Sequence, residues 1–312
     1  MKSTYKLAIL IPCHNEGITI GKVIEDFRAQ VPDASIYVFD NCCTDRTPEI
    51  AREKGATVLS VLRPGKGHVV ESMLASVDSD IYVMVDGDDT YPAESVHALI
   101  EPVRVGKADM TVGNRLGNRS GKNFRPLHLF GNRLVCGLIN KIFHTRLTDI
   151  MSGYRAFNRK VVQRIPVVSS GFEVEIELTV QMLYYHLSLL EVGVPYRARP
   201  QGSVSKLQTL PDGMRVLWKI FSLFRNFKPL TFFGGIGIIL LIMGILAGIH
   251  PVYDYIQNGY WEAKHIPLVI LGIGLTLLAS SFVLLGIILH AVNWRFKELH
   301  NVMIRHDERP QK

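Results

Sequence analysis

Apolar positions along this chain fall into two regimes. Over residues 5–115 short apolar runs alternate with stretches in which apolar residues recur every three or four positions. "KLAILIP" precedes a helical pattern over 18–30, "SIYVFD" one over 48–54, "ATVLSV" one over 68–77 and "DIYVMVD" one over 93–105; "ADMTVGN" closes the series. Near-continuous apolar strands separated by helices predict a parallel sheet covered on both faces. In the second regime, Pro229–Tyr253 and Ile266–Leu289 contain no Asp, Glu, Lys or Arg. Each exceeds the ~20 residues that cross a hydrocarbon core.

The residues flanking these spans set an expected orientation. Lys219, Arg225 and Lys228 precede the first, Arg295, Lys297 and Arg305 follow the second, and the loop between carries Asp254, Glu262 and Lys264. The positive-inside rule then places both termini in the cytoplasm, with Tyr260 and Trp261 at the outer interface. Gly234, Gly237, Gly244, Gly248, Gly272 and Gly274 suit close helix contacts and leave room for a homo-oligomer. In "GMRVLWKIFSLFRNFK", Val216, Leu217, Ile220, Phe221 and Phe224 oppose Arg215, Lys219 and Arg225. That pattern reads as an interfacial amphipathic helix or as a helix packed on the soluble domain. The expected organisation is a domain over 1–210, the amphipathic helix over 211–228, two spans over 229–290 and a basic cytoplasmic tail over 291–312.

Charge and cysteine content narrow the function classes. The formal charge of +7 admits nucleic acid, an anionic membrane surface or phosphorylated substrates. No Lys/Arg run interleaved with aromatics occurs in the first 200 residues, which disfavours nucleic acid. Cys13, Cys42, Cys43 and Cys136 form no CxxC and no Cys/His ligand spacing. The N-terminal apolar run is too short for a secretory signal and reads as a first strand, so the bulk of the protein is expected in the reducing cytoplasm. Adjacent Cys42 and Cys43 are then small residues in a tight turn.

Ligands of such sheets bind beyond the carboxyl ends of the strands. Those ends read Pro12-Cys13-His14-Asn15-Glu16, Asp40-Asn41 and Asp86-Gly87-Asp88-Asp89. No Gly-x-Gly-x-x-Gly follows the first strand and no Gly-x-x-x-x-Gly-Lys-Ser/Thr occurs, which disfavours dinucleotide oxidoreduction and P-loop chemistry. Asp86, Asp88 and Asp89 repel one another unless a cation sits among them. Oxygen-only ligands suit Mg²⁺ or Mn²⁺, while a solvated acidic turn is the alternative.

"IPCHNE", "FDNCCTDRT", "GKG" (65–67), "VDGDD", "DIMSGYRAF" (149–157) and "RARPQGSVSKL" (197–207) together resemble family 2 glycosyltransferases. With the two spans they resemble the polyprenyl-phosphate glycosyltransferases, the group of dolichol-phosphate mannose synthase and bactoprenol glucosyltransferases. The Gln-x-x-Arg-Trp signature of processive synthases is absent. The resemblance implies a GT-A (Rossmann-like) α/β nucleotide-sugar domain with a two-helix transmembrane hairpin at the cytoplasmic membrane. It implies inverting transfer of one sugar from a UDP- or GDP-sugar to polyprenyl phosphate at the cytoplasmic face. Transfer to a non-lipid acceptor, or a non-catalytic membrane scaffold of the same fold, stay open.

The resemblance also implies roles. Asp40 and Asn15 contact the base and ribose, with Pro12, Glu16 and Asn41 in the same pocket. Asp86 and Asp88, flanking Gly87, bridge the metal to the diphosphate; Thr90 stands where the mannose synthase pattern has Gln. Asp45 orders the loop after Asp40 or caps the next helix. Lys66 reaches the nucleotide or is solvated. Arg197, Arg199, Ser203, Ser205 and Lys206 form a cationic, hydroxyl-rich loop that closes over phosphates or lies on the membrane surface.

An acid near the acceptor is expected at Asp149, with Glu175 a lesser candidate and Arg155 beside them. In "FEVEIEL", a strand puts Glu173, Glu175 and Glu177 on one face, a helix only Glu173 and Glu177. Residues 123–143 form an amphipathic acceptor segment in which Arg125 and Arg133 meet the lipid phosphate, or a helix packed on the domain. A phosphate monoester, with its second pKa near ~6, is already an anionic nucleophile and needs little from a base.

Overall fold

A computed structural model describes residues 5–117, 126–202, 218, 220–259 and 265–307. The chain divides into two compact units, Met1–Ile220 and Phe221–Lys312. The first opens with β1 (Leu7–Cys13), α1 (Ile20–Gln30), β2 (Ser35–Asp40), α2 (Thr47–Glu53), β3 (Thr57–Ser60), α3 (Lys66–Ser76) and β4 (Ile81–Met84). A 3-10 turn over Ala93–Ser95 leads into α4 (Val96–Arg104), followed by β5 (Met110–Asn114). Every strand and helix expected from the apolar pattern is present within a few residues.

The unit continues with α5 (Pro126–Phe143), β6 (Arg155–Asn158), α6 (Arg159–Arg164), α7 (Val174–Tyr184) and β7 (Leu189–Gly193). The strand order is β3-β2-β1-β4-β6-β5-β7. β6 runs antiparallel to both β4 and β5, so the sheet is mixed rather than all-parallel. "RAFN" hides this: it is four residues long, begins with a charge and runs straight into a helix capped by its own Asn158.

Both faces of the sheet are covered, which explains why β1 lacks alternation. Ile9 and Ile11 face Ile24, Phe27, Val83 and Leu99. Ala8 and Leu10 face Phe39, Met73, Tyr82 and Leu178. At about 25 cal/mol per Å² of apolar surface, a side chain such as Ile9 contributes roughly 1.5–3 kcal/mol by its burial. Because β1 lies between β2 and β4, with Cys13 opposite Asp40 and Leu10 opposite Met84, the three chemistry-bearing strand ends share one edge.

"FEVEIEL" enters a helix at Val174, with Glu173 at its N-cap position. Glu173 and Glu177 both reach the preceding turn, accepting from Gly171 N (3.1 Å) and Ser169 N (2.7 Å), while Glu175 makes a different contact taken up below.

In the second unit, α8 (Pro229–Asn258) and α9 (Ile266–Asp307) form a hairpin. Both are long and apolar enough to cross a membrane. They touch through glycine: a Cβ on Gly237 would stand 2.7 Å from Val283, one on Gly244 2.8 Å from Thr276 Oγ1, and one on Gly272 3.1 Å from the Gly244 carbonyl. Among the described residues, nothing comes within 4 Å of a Cβ on Gly234, Gly248 or Gly274. α9 runs on to Asp307, so the start of the expected tail is helix. Residues 220–227 are helical, with Phe221 and Phe224 edge-on to Phe232 at 4.9 and 5.5 Å. Residues 211–217 and 219 of the expected interfacial helix lie outside the described residues.

Candidate active site

The loops leaving β1 and β2 are sewn together by short side chains. Asp45 accepts from Gly17 N and Thr47 N, both at 3.0 Å, and from Thr47 Oγ1 at 2.5 Å. Thr47 Oγ1 accepts from Glu16 N (2.8 Å). Asp45 therefore orders both loops, and α2 starts without a side-chain cap. Asn15, in the left-handed region at φ 55°, accepts from Thr44 N at 2.7 Å. Asp40 Oδ1 accepts from Cys43 N (2.9 Å). Pro12 sits in β1 opposite Phe39, one residue from the strand end.

Asn41 is buried and works as a staple: it donates to the Val61 and Arg63 carbonyls and accepts from Gly65 N at 2.8 Å. The thiols are directed to separate carbonyls, Cys42 Sγ to Leu62 O and Cys43 Sγ to Cys13 O. Burial, with help from Asp40, pushes the Cys43 thiol up to about 12, which removes nucleophilic thiolate at neutral pH.

Lys66 is the first side chain whose placement the sequence leaves open. Gly65 has φ 121°, and Gly67 packs so closely on the Ser169 carbonyl that a Cβ would overlap it. The Gly67 amide donates to Ser170 O at 3.0 Å. With the loop clamped, Lys66 opens α3 with its side chain only 10% exposed, Nζ lying 2.6 Å from Asp86 Oδ1 and 2.6 Å from Glu175 Oε1. Burial alone would lower the ammonium, but the two carboxylates outweigh it and hold it well above its ordinary value. Glu175 is thus the partner of Lys66.

The other acids of this turn also have cations. Asp88 Oδ2 pairs with Arg199 Nη2, and its Oδ1 accepts from Thr90 Oγ1 at 2.6 Å. Thr90, in the position expected to hold Gln, fixes Asp88. Burial and then the Asp86 charge keep Asp88 above the usual carboxylate range in spite of Arg199. Asp89 lies 2.9 Å from Lys22 and 4.0 Å from Arg197. Arg199 also lies 3.9 Å from Glu16.

Two glycines keep the turn tight. A Cβ on Gly87 would stand 2.7 Å from Cys13 Sγ, and one on Gly153 2.5 Å from Asp86 Oδ2. The oxygen-only donor set of Asp86 and Asp88, with Asp86 part-exposed, fits a hard divalent cation such as Mg²⁺ or Mn²⁺.

Asp149 is 0% exposed and gripped by Arg115, whose Nε and Nη2 each donate at 2.8 Å and whose backbone N donates at 3.0 Å. Burial would raise this carboxyl, but the Arg115 hydrogen bonds and charge hold it below its ordinary value. Glu191 accepts from the amides of Thr148 and Asp149 at 2.7 and 2.8 Å.

Arg155 is fully buried and donates to Ser152 O, Ile150 O, Glu175 O and Thr179 Oγ1, so it ties loop 149–154 to α7. Arg115, absent from the expected set, follows β5 directly; a basic residue at a strand end is the signal that would have found it. Arg133 is exposed on α5. Arg125, Ser203, Ser205 and Lys206 lie outside the described residues.

Comparisons with known proteins identify relatives of this chain. Residues 8–165 match the sequence profile of "Glycosyl transferase family 2". "Glycosyltransferase AglJ" of Haloferax volcanii is 30% identical over 251 residues, covering 80% of this chain and 82% of that protein. "Dolichyl-phosphate hexose transferase" of the same organism is 29% identical, covering 62% and 83%. Glucosyl-3-phosphoglycerate synthase of Mycobacterium tuberculosis, solved in complex with Mn²⁺, UDP and glucosyl-3-phosphoglycerate, superposes at a TM-score of 0.60. It is 25% identical and covers 71% of this chain and 81% of that one.

Proposed function

From the premise that this chain belongs to glycosyl transferase family 2, we propose that it moves one sugar from a UDP- or GDP-sugar to a polyprenyl phosphate, with inversion. One observation carries the choice of acceptor. The two acids expected nearest the acceptor are both engaged, Asp149 by Arg115 and Glu175 by Lys66. A sugar hydroxyl needs a proton acceptor in the transition state. A phosphate monoester arrives largely ionised and needs none. The name of the dolichyl-phosphate relative and the apolar hairpin support the same choice.

In this reading Asp40 and Asn15 hold the nucleoside, and Pro12, Glu16 and Asn41 shape its pocket. Asp86 and Asp88 hold Mg²⁺ or Mn²⁺, which when bound neutralises charge on the departing diphosphate. Lys66 adds fixed positive charge beside the same oxygens, prepared by its two carboxylates before substrate arrives. Arg199 and Arg197 sit over Asp88 and Asp89, where guanidinium groups meet phosphates bidentately. Arg133, with Arg125, Ser203, Ser205 and Lys206, would complete the acceptor phosphate site. Asp149 and Arg155 position loop 149–154, which brings Gly153 against Asp86.

The proposed topology keeps the domain 1–210 and both termini in the cytoplasm, with an interfacial helix over 211–228 and spans within 229–290 of the inner membrane. The deciding experiment incubates membranes containing the protein with labelled nucleotide sugars and extracts the lipid. Label in the organic phase is expected, lost in Asp88→Ala. Label confined to the aqueous phase with every donor would exclude the lipid acceptor.

A further inference from the structure

The closed end of the hairpin gathers three side chains with no part in sugar transfer. His250 and Asp254 are one helical turn apart on α8, and His265 immediately precedes α9. Asp254 Oδ2 lies 2.6 Å from His265 Nε2 and 3.7 Å from His250 Nδ1. The two imidazole rings stand 4.9 Å apart. One donor atom from each residue falls within 4.8 Å of the other two.

We propose that His250, Asp254 and His265 form a binding site for a divalent ion of the borderline, imidazole-preferring kind, of which Zn²⁺ is the type. Among the described residues His265 Nε2 is buried with no hydrogen-bond partner, its 2.6 Å approach to Asp254 being an ion-pair contact. Buried polar nitrogens are almost always satisfied, and an orphan points to a water or ion. Donors at about 2.1 Å around a tetrahedral Zn²⁺ lie about 3.4 Å apart, so the three groups reach a common ion by shifts of up to about 1.5 Å.

Two His nitrogens and one carboxylate oxygen leave a fourth position for water. The donor chemistry separates this site from Asp86 and Asp88. Imidazole selects Zn²⁺ and its neighbours, whereas oxygen-only sets select Mg²⁺ and Mn²⁺. The ion would join the end of α8 to the start of α9 across the loop.

The test uses the full-length chain in detergent with saturating Mg²⁺ and titrates Zn²⁺ by calorimetry and by thermal unfolding. One Zn²⁺ per chain is expected, with a rise in Tm. His265→Ala and Asp254→Asn should each weaken binding by about tenfold or more, a change of ~1.4 kcal/mol or larger, and abolish the Tm rise. Their metal-free Tm and their transferase activity report whether they fold; a variant that fails either is replaced by His250→Ala, which is solvent-facing. Absence of saturable Zn²⁺ binding overturns the proposal. So does binding that survives His250→Ala/His265→Ala, or that disappears in Asp88→Ala.

Discussion

Asp149→Asn separates a structural acid from a chemical one. The wild-type carboxylate accepts three bonds from Arg115 at 2.8–3.0 Å, and neither partner side chain is more than 8% exposed. Asn keeps the shape but removes the charge, leaving a buried guanidinium without its carboxylate. Breaking one side of such a pair costs about 3–5 kcal/mol. For a unit of this size that corresponds to a Tm lower by roughly 6–20 °C. Tertiary unfolding followed by near-ultraviolet circular dichroism on the full-length protein in detergent measures it.

The double variant Arg115→Met/Asp149→Leu replaces the pair with apolar volume and should recover much of the loss. Because the folded-state pKa of Asp149 lies below its ordinary value, its contribution is complete at neutral pH. It is lost as pH falls through the unfolded value near ~4 toward the lower folded one, so wild type and Asp149→Asn should converge only in acid. An Asp149→Asn protein that melts with the wild type but has lost kcat by ~100-fold would refute this reasoning and restore a chemical role.

Lys66→Met leaves Asp86 and Glu175 facing each other without their cation, and should raise donor KM and lower kcat while the fold persists, as read by steady-state kinetics and circular dichroism; wild-type kinetics would remove Lys66 from the site. Gly67→Ala drives a methyl into the Ser169 carbonyl and displaces Lys66, so its kinetic defect should resemble that of Lys66→Met; an unchanged donor KM would show that the loop yields. Asp88→Ala should abolish transfer with the melting temperature retained, and full activity of that variant in chelator would contradict the metal assignment. Cys42→Ser/Cys43→Ser should keep activity under reducing conditions, and its loss in a folded protein would give the thiols a role they lack here.

The first five strands and their helices were legible because two-sided burial writes a strong signal: "LAILIP" is apolar at every position. β6 was not, since its four residues, running from a buried arginine to a helix cap, carry no period, and its antiparallel insertion is decided by tertiary pairing. The strand-end acids were legible because topology places such ends together. Their partners were not. Lys66 meets Glu175 across 109 positions of sequence through a glycine loop clamped on Ser169 and Ser170, and no local pattern encodes that contact. Arg115 and Asp149 looked unrelated for the same reason.

The ion pairs around the acidic turn bear on how the donor enters. Asp86 and Asp88 hold Lys66 and Arg199, so the carboxylates proposed to take a divalent ion already have monovalent partners from the protein. A donor carrying its own metal would bring two positive charges to these acids and diphosphate oxygens to the cations they hold. Arg199 would then exchange Asp88 for phosphate, and Lys66 would exchange Asp86 while keeping Glu175, so that no buried charge is left bare. Metal without nucleotide would set its charge against those cations, and nucleotide without metal would set diphosphate against carboxylate. The arrangement therefore favours joint binding: metal should tighten the nucleotide, and by linkage the nucleotide should tighten the metal by the same factor. Calorimetric titration of nucleoside diphosphate with and without Mn²⁺ measures that factor, and independent binding would contradict the exchange.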